Sequence, residues 1–468
     1  MNILLINISL RPQSKIKLFP VGLGYIATAI HNAGWHFDLL DIDAHRPSAA
    51  EIEEAIARRP YDVVCMGCIV TGYKYVKSLS SLIKSIHPKA KIILGNTVAS
   101  SIPHIVLTRT QVDYLVFSEG DHTIIELLDC LRLGQDPGRI PGIGLLHDGR
   151  VHCTPPRPAI KDLDSLPWIN HDLFDITTYI GNTPDQVDDN LPMPKSDARM
   201  IYISTSRGCI ANCTFCYHAF KQMPYRVRSP RSIVAEIESL VGKYDANIIA
   251  FSDDLTFFNK KQTLEFVDAV LASSKKFYWE ANSRATLFDL DEDVAIIEKM
   301  KAAGCMRAGF SLESSNPDIL KAMNKNITVE AFSRQARLFK QAGMQILTSL
   351  VFGFPQETPE TIADTFKVCA ENGVYPSIGY LLPQPGSPIY DYARSHGYIP
   401  DEEEYLLNIG DRQDLYVNMT SMSDEEFQAN VLAGAKRCND ALNLDLGDRL
   451  IKTQYYRTPK TDQTADHA

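Results

Sequence analysis

Met200-Ile-Tyr-Ile-Ser-Thr-Ser-Arg-Gly208-Cys209-Ile-Ala-Asn-Cys213-Thr-Phe-Cys216 is an apolar strand pattern that runs into a loop with three cysteines at CxxxCxxC spacing. Three thiolates on a short loop are three soft ligands, and a cubane of four irons and four sulfides takes four. One iron is left open, which suits binding and reducing a small chelating ligand better than storing an electron. The competing reading is a Cys3His zinc knuckle completed by His218. Zinc knuckles do not normally sit at the end of a buried strand followed by alternating strands and helices, so the context favours the cluster.

Outward from this loop, strand patterns at 201–204, 248–252, 278–281, 307–311, 345–351 and 377–382 alternate with helical ones. The helix after the loop has Ser229 as its cap, Pro230 in its first turn and one apolar stripe of Ile233, Val234, Ile237, Leu240 and Val241. Before the loop, residues 1–150 show a second alternation. Its strands are expected at 3–8, 37–42, 63–68, 92–94 and 114–117, and its helices at 23–33, 50–57, 76–86 and 124–131. Short apolar strands separated by amphipathic helices predict a doubly wound parallel sheet, which binds ligands at the carboxyl ends of its strands. Those ends carry Pro20-Val-Gly22-Leu-Gly24, Thr71-Gly72, Gly95-Asn96-Thr97 and Ser118-Glu119-Gly120-Asp121. A backbone with few bulky side chains can lie flat against a large planar ligand. Ordinary βα turns are the alternative, weakened by four such turns in register.

A chain of 468 residues, at ~100–200 per domain, implies two or three domains. Its 45% hydrophobic and 22% charged residues describe a soluble globular protein, and a net charge of -10 with scattered basic residues argues against nucleic acid as a partner. The opening Met1-Asn-Ile-Leu-Leu-Ile lacks the basic region of a signal peptide and reads as a first strand, and no segment has the ~20 apolar residues of a membrane span. Ten cysteines without a secretion signal point to the cytoplasm, with thiols as ligands or core residues. Cys65 and Cys68 form a second CxxC, but inside an apolar run, and are read as strand packing. Residues 151–199, rich in Pro and Asp, are expected to be a connector, either lid or solvated linker; 401–456 is expected to be helical, and 457–468 a disordered tail.

The cysteine loop, with Phe215 before its third cysteine, resembles the signature of the radical S-adenosylmethionine (SAM) enzymes. The first 150 residues resemble the cobalamin-binding domain of the cobalamin-dependent branch of that superfamily. The matching pieces are 19–27, Gly34, Asp41 and the turn at 118–121. The fourth strand departs, with Gly95-Asn96-Thr97 where the family often has Gly-Gly and then His. The resemblance implies a Rossmann-like cobalamin-binding domain (1–150) and a partial (β/α)6 barrel (200–400), with a 4Fe-4S cluster on Cys209, Cys213 and Cys216, SAM chelated to the open iron, and cobalamin. It implies cobalamin contacts from Gly22, Gly24, Thr71, Gly95, Asn96, Glu119 and Gly120. SAM contacts fall at barrel strand ends: Asp253 and Asp254 near the methionine amino group, Arg284, Glu313 and Ser314 for ribose or carboxylate, and Gly353 beside adenine. Asp254 and Arg284 suit a strand-end salt bridge equally well, whereas Glu313 is read as a ligand contact. No Asp-x-His-x-x-Gly follows the first strand, and His45 is read as a surface residue, so cobalamin is expected without a histidine ligand.

By this resemblance the activity is methyl transfer to an unactivated carbon of a small molecule, through a 5'-deoxyadenosyl radical and methylcobalamin, with electrons from a donor such as flavodoxin or ferredoxin. An oxidative cyclase or rearrangement enzyme, of the anaerobic magnesium-protoporphyrin monomethyl ester cyclase type, shares the same motifs. A cobalamin or redox sensor with a structural cluster is the non-enzymatic alternative. A methylthiotransferase is disfavoured, because those enzymes carry three further cysteines in the amino-terminal domain.

Overall fold

The computed structural model describes residues 1–187 and 190–452; the expected tail at 457–468 and two connector residues lie outside the described residues. Strands β1 (Ile3–Asn7), β2 (Phe37–Asp41), β3 (Val63–Gly67), β4 (Lys91–Gly95) and β5 (Tyr114–Val116) form a parallel sheet in the order β2-β1-β3-β4-β5. β1 is buried along its whole length, as a central strand covered by helices on both faces must be. These strands fall where the alternation of apolar and polar residues predicts them, as do the helices Val21–Asn32, Ala49–Ala57, Tyr73–Ile86 and Thr123–Arg132, whereas the two short helices Asn96–Ser101 and Pro103–Arg109 between β4 and β5 were not expected.

Two further strands, β6 (Ile143–His147) and β7 (Arg150–Cys153), form an antiparallel hairpin that adds to β5 and makes the sheet seven-stranded. The sequence reading missed this hairpin, and β7 runs past the boundary expected at residue 150. Its signal is the dipeptide Asp148-Gly149: both residues have positive φ, +48° and +73°, as a two-residue hairpin turn of the favoured hand requires.

In the second half, β8 (Met200–Ile203) leads into a small ribbon of β9 (Ser206–Arg207) and β10 (Arg226–Val227), which flanks the cysteine loop. β11 (Ile248–Phe251), β12 (Tyr278–Asn282), β13 (Cys305–Gly309) and β14 (Gln345–Leu347) continue the parallel sheet in the order β14-β13-β12-β11-β8. β15 (Ser349–Phe352) and β16 (Ser377–Tyr380) pair with each other, and a bridge from Glu313 to Leu350 joins them to the rest. The fifth expected strand, 345–351, is therefore broken at Thr348. Its first part pairs with β13 and its second with β16, while Thr348 Oγ1 accepts the Leu312 amide at 3.1 Å. The helix at Pro230–Tyr244 starts as expected, with Ser229 accepting from Ser232 N and Pro230 in the first turn. The carboxyl-terminal helix Asp424–Ala441 packs on Pro359–Glu371.

The described residues of the connector form a strap. Ile169, His171, Phe174 and Tyr179 are buried, with the Phe19 ring tilted against His171 at 4.9 Å and edge-on to Phe174 at 5.0 Å. Burial pushes the His171 imidazole down to about 4, so it packs as a neutral ring. Tyr179 donates to Asp41 Oδ2 at 2.7 Å and accepts from Asn7 Nδ2 at 3.0 Å, tying the strap to the carboxyl ends of β1 and β2. Among the described residues no helix is long and apolar enough to cross a membrane.

Candidate active site

The cysteine loop is held from both sides before any ligand is considered. Asp253, just after β11, accepts from Ser204 Oγ at 3.2 Å, Thr205 N at 2.8 Å, Ser206 N at 3.1 Å and the Thr205 hydroxyl. Burial pushes this carboxyl up to about 6 even though those donors favour its ionised form. Asp253 thus positions the approach to the loop and does not line the site, a correction to its expected contact with SAM. Gly208 turns the chain at a φ of +89°, where an L side chain is strained. Thr214 N then donates to Met323 O at 2.9 Å, Asn324 Nδ2 to Asn212 O at 2.8 Å and Ile389 N to Thr214 O at 3.1 Å. Gly386, at a φ of +86°, leaves room for the Tyr217 ring, which a Cβ would meet at 2.5 Å.

All three thiols, Cys209, Cys213 and Cys216, line one cavity of about 1140 Å³. Among the described residues no three His, Cys, Asp or Glu side chains converge closely enough to chelate a single ion, and His218 Nδ1 instead stands 2.9 Å from Asp254 Oδ2. Burial pushes the Cys216 thiol up to about 12, so ionisation there needs the positive charge that iron brings.

Of the residues expected to meet SAM, Asp254, Arg284 and Glu313 line this cavity. Arg284 donates to the carbonyl of Lys325 at 2.6 Å, and Lys325 Nζ meets Glu313 Oε1 at 2.7 Å. Glu313 holds a φ of +65°, and its Oε2 is buried without a hydrogen-bond partner, as is Ser283 Oγ on the same wall. Buried acceptors of this kind await a donor, and ribose hydroxyls are donors of the right type. Ser314 and Gly353 do not line the cavity. Ser314 Oγ accepts from Asn316 N at 3.2 Å, and Gly353 faces Leu381 and Phe427, which a Cβ would meet at 3.4 Å.

The carboxyl ends of β1, β3 and β4 reach the same cavity through Asn7, Gly67, Cys68, Ile69 and Asn96. Of the expected cobalamin contacts only Asn96 is on the wall, at a φ of +69° that asparagine tolerates. The others stand elsewhere. A Cβ on Gly24 would meet Ile169 of the strap at 3.0 Å and one on Gly120 would meet Ile26 at 2.8 Å, so both are glycine for close packing against the helix Val21–Asn32 or its cover. Gly22 is exposed in the first turn of its helix, Thr71 lies in a one-turn 3-10 helix, and Gly95 precedes Asn96 without lining the wall. Glu119 is buried in an ion cluster: it accepts from Arg207 Nη1 at 2.8 Å, Arg226 Nη1 at 2.9 Å and Ile160 N at 2.8 Å, while Asp121 takes Arg207 at 2.9 and 3.0 Å. Burial works against the Arg207 charge, but Asp121 and Glu119 more than offset it and hold its pKa above the usual value. The sequence reading missed this cluster, since Arg207 and Arg226 flank the cysteine loop but carry no periodic signal. His45 is exposed, 3.9 Å from Asp175, and Cys65 is buried with its thiol pushed up to about 12 by desolvation.

The residues present fit the implied groups: three thiols for a cluster, unsatisfied acceptors and a guanidinium beside them, and a volume above the ~300–1,000 Å³ of an ordinary single-ligand pocket. The Radical SAM superfamily model matches residues 203–369 and the B12 binding domain model residues 13–128. An uncharacterised methyltransferase of Pyrococcus horikoshii is 27% identical over 80% of this chain and 78% of its own length. The anaerobic magnesium-protoporphyrin IX monomethyl ester cyclase of Rubrivivax gelatinosus is 25% identical over 82% and 68%. The fold is similar to that of the radical SAM methyltransferase TsrM from Kitasatospora setae, solved with cobalamin and a [4Fe-4S] cluster, with a TM-score of 0.66 and 19% identity over 85% of this chain and 78% of that one. The two matched domains imply a 4Fe-4S cluster, SAM and cobalamin as cofactors. Carrying both domains on one chain, around one cavity, the protein belongs to the cobalamin-dependent radical SAM enzymes.

Proposed function

We propose that this protein is a methyltransferase that places a methyl group on an unactivated carbon of a small molecule. The observation that carries this reading is the shared cavity: the cysteine thiols and the carboxyl ends of β1, β3 and β4 open into one space, so a substrate held there faces both cofactor positions. When bound, the cluster and SAM supply hydrogen abstraction, and cobalamin supplies the methyl group.

The chain contributes placement. Asp253 and the bonds at Asn212 and Thr214 hold the cysteine loop in one geometry, which reduces the entropy lost on reaction. Glu313 Oε2 and Ser283 Oγ offer acceptors to a ribose, and Arg284 a donor to a carboxylate. Phe215, Phe251 and Phe310 give part of the wall an apolar surface that excludes water. An external flavodoxin or ferredoxin in the cytoplasm supplies the electron.

The test is anaerobic reconstitution with iron, sulfide and hydroxocobalamin, then reduction with SAM and assay of 5'-deoxyadenosine and S-adenosylhomocysteine. Both products are expected, with deoxyadenosine lost in Cys213→Ala. Deoxyadenosine alone favours rearrangement or ring closure, the latter being the activity named for the Rubrivivax relative. Neither product, with cluster and cobalamin bound, favours a sensor.

A further inference from the structure

The charges on the cavity wall indicate what its substrate carries. Three of the four acidic side chains among the described residues of that wall have a cationic neighbour: Glu313 meets Lys325 at 2.7 Å, Glu280 meets Arg307 at 2.6 Å and Asp43 meets Arg46 at 2.9 Å, while the fourth, Asp254, stands 2.9 Å from the His218 ring. Among the described residues, three wall guanidiniums meet no carboxylate: Arg284, Arg412 and Arg449. Arg284 sits by Lys325 and Glu313, where the methionine carboxylate of SAM is assigned above. Arg412 and Arg449 belong to another part of the chain, after the last barrel strand, and nothing assigned so far uses them.

Their setting is built. Arg412 is half-buried; its backbone carbonyl accepts Tyr380 N at 2.7 Å and its Nη2 donates to Ser377 Oγ at 2.8 Å. The guanidinium lies over Gly379 in β16, where a Cβ would come within 2.6 Å of Nη1, so the missing side chain makes its seat. Arg449 is half-buried too and makes only long bonds, to Leu446 O at 3.3 Å and Asp445 O at 3.4 Å. The two segments are tied together, with Gln413 Nε2 donating to Ile451 O at 2.9 Å and the Tyr375 hydroxyl donating to Leu450 O; Tyr375 and Ser377 line the same cavity. A guanidinium carries five donors, and most of those on Arg412 and Arg449 have no protein acceptor in any bond described here. Half-buried cations without a counter-charge are costly, and an anion that accepts from both in a forked geometry relieves that cost.

We propose that Arg412 and Arg449 form an anion subsite of the substrate pocket, so that the substrate carries a carboxylate or phosphate group. The proposal deepens the methyltransferase reading and rests on it for the word substrate. The carboxyl-terminal segment thereby gains a role in specificity as well as in packing.

The experiment is isothermal titration of the full chain, reconstituted with cluster and cobalamin and holding excess SAM so that the cofactor sites are filled. Pyrophosphate is the probe in one arm and glutarate in the other. Saturable binding is expected in one arm, which identifies the phosphate or the carboxylate class. Arg412→Gln and Arg449→Gln are each expected to weaken it at least about tenfold, the size of a lost charge-assisted bond. Gly379→Ala displaces only the tip of a flexible side chain and is expected to weaken it as well; if Arg412→Gln fails to fold by circular dichroism, Gly379→Ala and Arg449→Gln decide. Binding in neither arm, or variants that bind like the parent, overturns the proposal. Anion binding that follows these variants without any 5'-deoxyadenosine formation leaves the subsite standing and removes the methyltransferase reading.

Discussion

Replacing Arg207 with Met tests whether the buried ion cluster holds the two halves of the chain in register. In Arg207→Met, Glu119 keeps Arg226 and the Ile160 amide, but Asp121 loses the cation that contacts it at 2.9 and 3.0 Å, and it is only 7% exposed. Removing one partner of a buried pair costs ~3–5 kcal/mol, because the other charge stays desolvated. The Arg207 guanidinium also lies 5.0 Å from the Tyr25 ring and 5.5 Å from that of Phe220, which adds ~1 kcal/mol. A loss of about 5 kcal/mol is therefore expected, a large part of the ~5–15 kcal/mol that holds a domain folded. Removing the stranded charge as well, in Arg207→Met with Asp121→Asn, is expected to recover ~2 kcal/mol. The assay is equilibrium urea unfolding followed by tryptophan fluorescence. Trp35, Trp168 and Trp279 stand in the first domain, the connector and the barrel, so loss of docking separates their transitions. A cost below ~1 kcal/mol for Arg207→Met, or a double variant whose losses simply add, refutes the reasoning.

Glu357 and Gly434 give two further tests. Burial pushes the Glu357 carboxyl from an ordinary 4.5 up to about 7, against the pull of Thr361 Oγ1 and Gly353 N. A raised acid pKa means that the folded state binds the proton more tightly, so stability is full below about 4.5 and declines as pH rises to about 7. Glu357→Gln is expected to remove that decline, on the order of 3 kcal/mol, in urea unfolding at pH 5 and pH 8; equal pH slopes for parent and variant refute it. A Cβ on Gly434 would stand 2.2 Å from Phe366 Cδ2, inside the contact between helices Asp424–Ala441 and Pro359–Glu371. Gly434→Ala is expected to destabilise by ~1–3 kcal/mol through overpacking, despite the better helix propensity of alanine; an unchanged or raised melting temperature contradicts it.

The strands of both halves were legible because burial between two layers writes itself as apolar runs, as in Ile3–Asn7 and Ile248–Phe251. The cysteine loop was legible because its ligands are close in sequence. The β6–β7 hairpin was equally local, announced by Asp148-Gly149, and was overlooked. The break at Thr348 was not local. Its sequence reads as one strand, and only the competing partners β13 and β16 divide it.

The candidate site divides in the same way. The sequence by itself determined the three cysteines, the order of the two domains and the kinds of residue at strand ends, since each of these depends on spacing along one stretch of chain. Tertiary structure alone decided that Asp253 and Glu119 point into protein while Asp254 and Glu313 face the cavity. It also brought Arg207 to Asp121 and placed Arg412 and Arg449 on one wall with Ser377. A carboxylate at a strand end reads the same whether it holds a loop, an arginine or a ligand. Its role is set by which groups the packing of distant segments brings within about 3 Å of its oxygens, and that distance has no signature in the order of the residues.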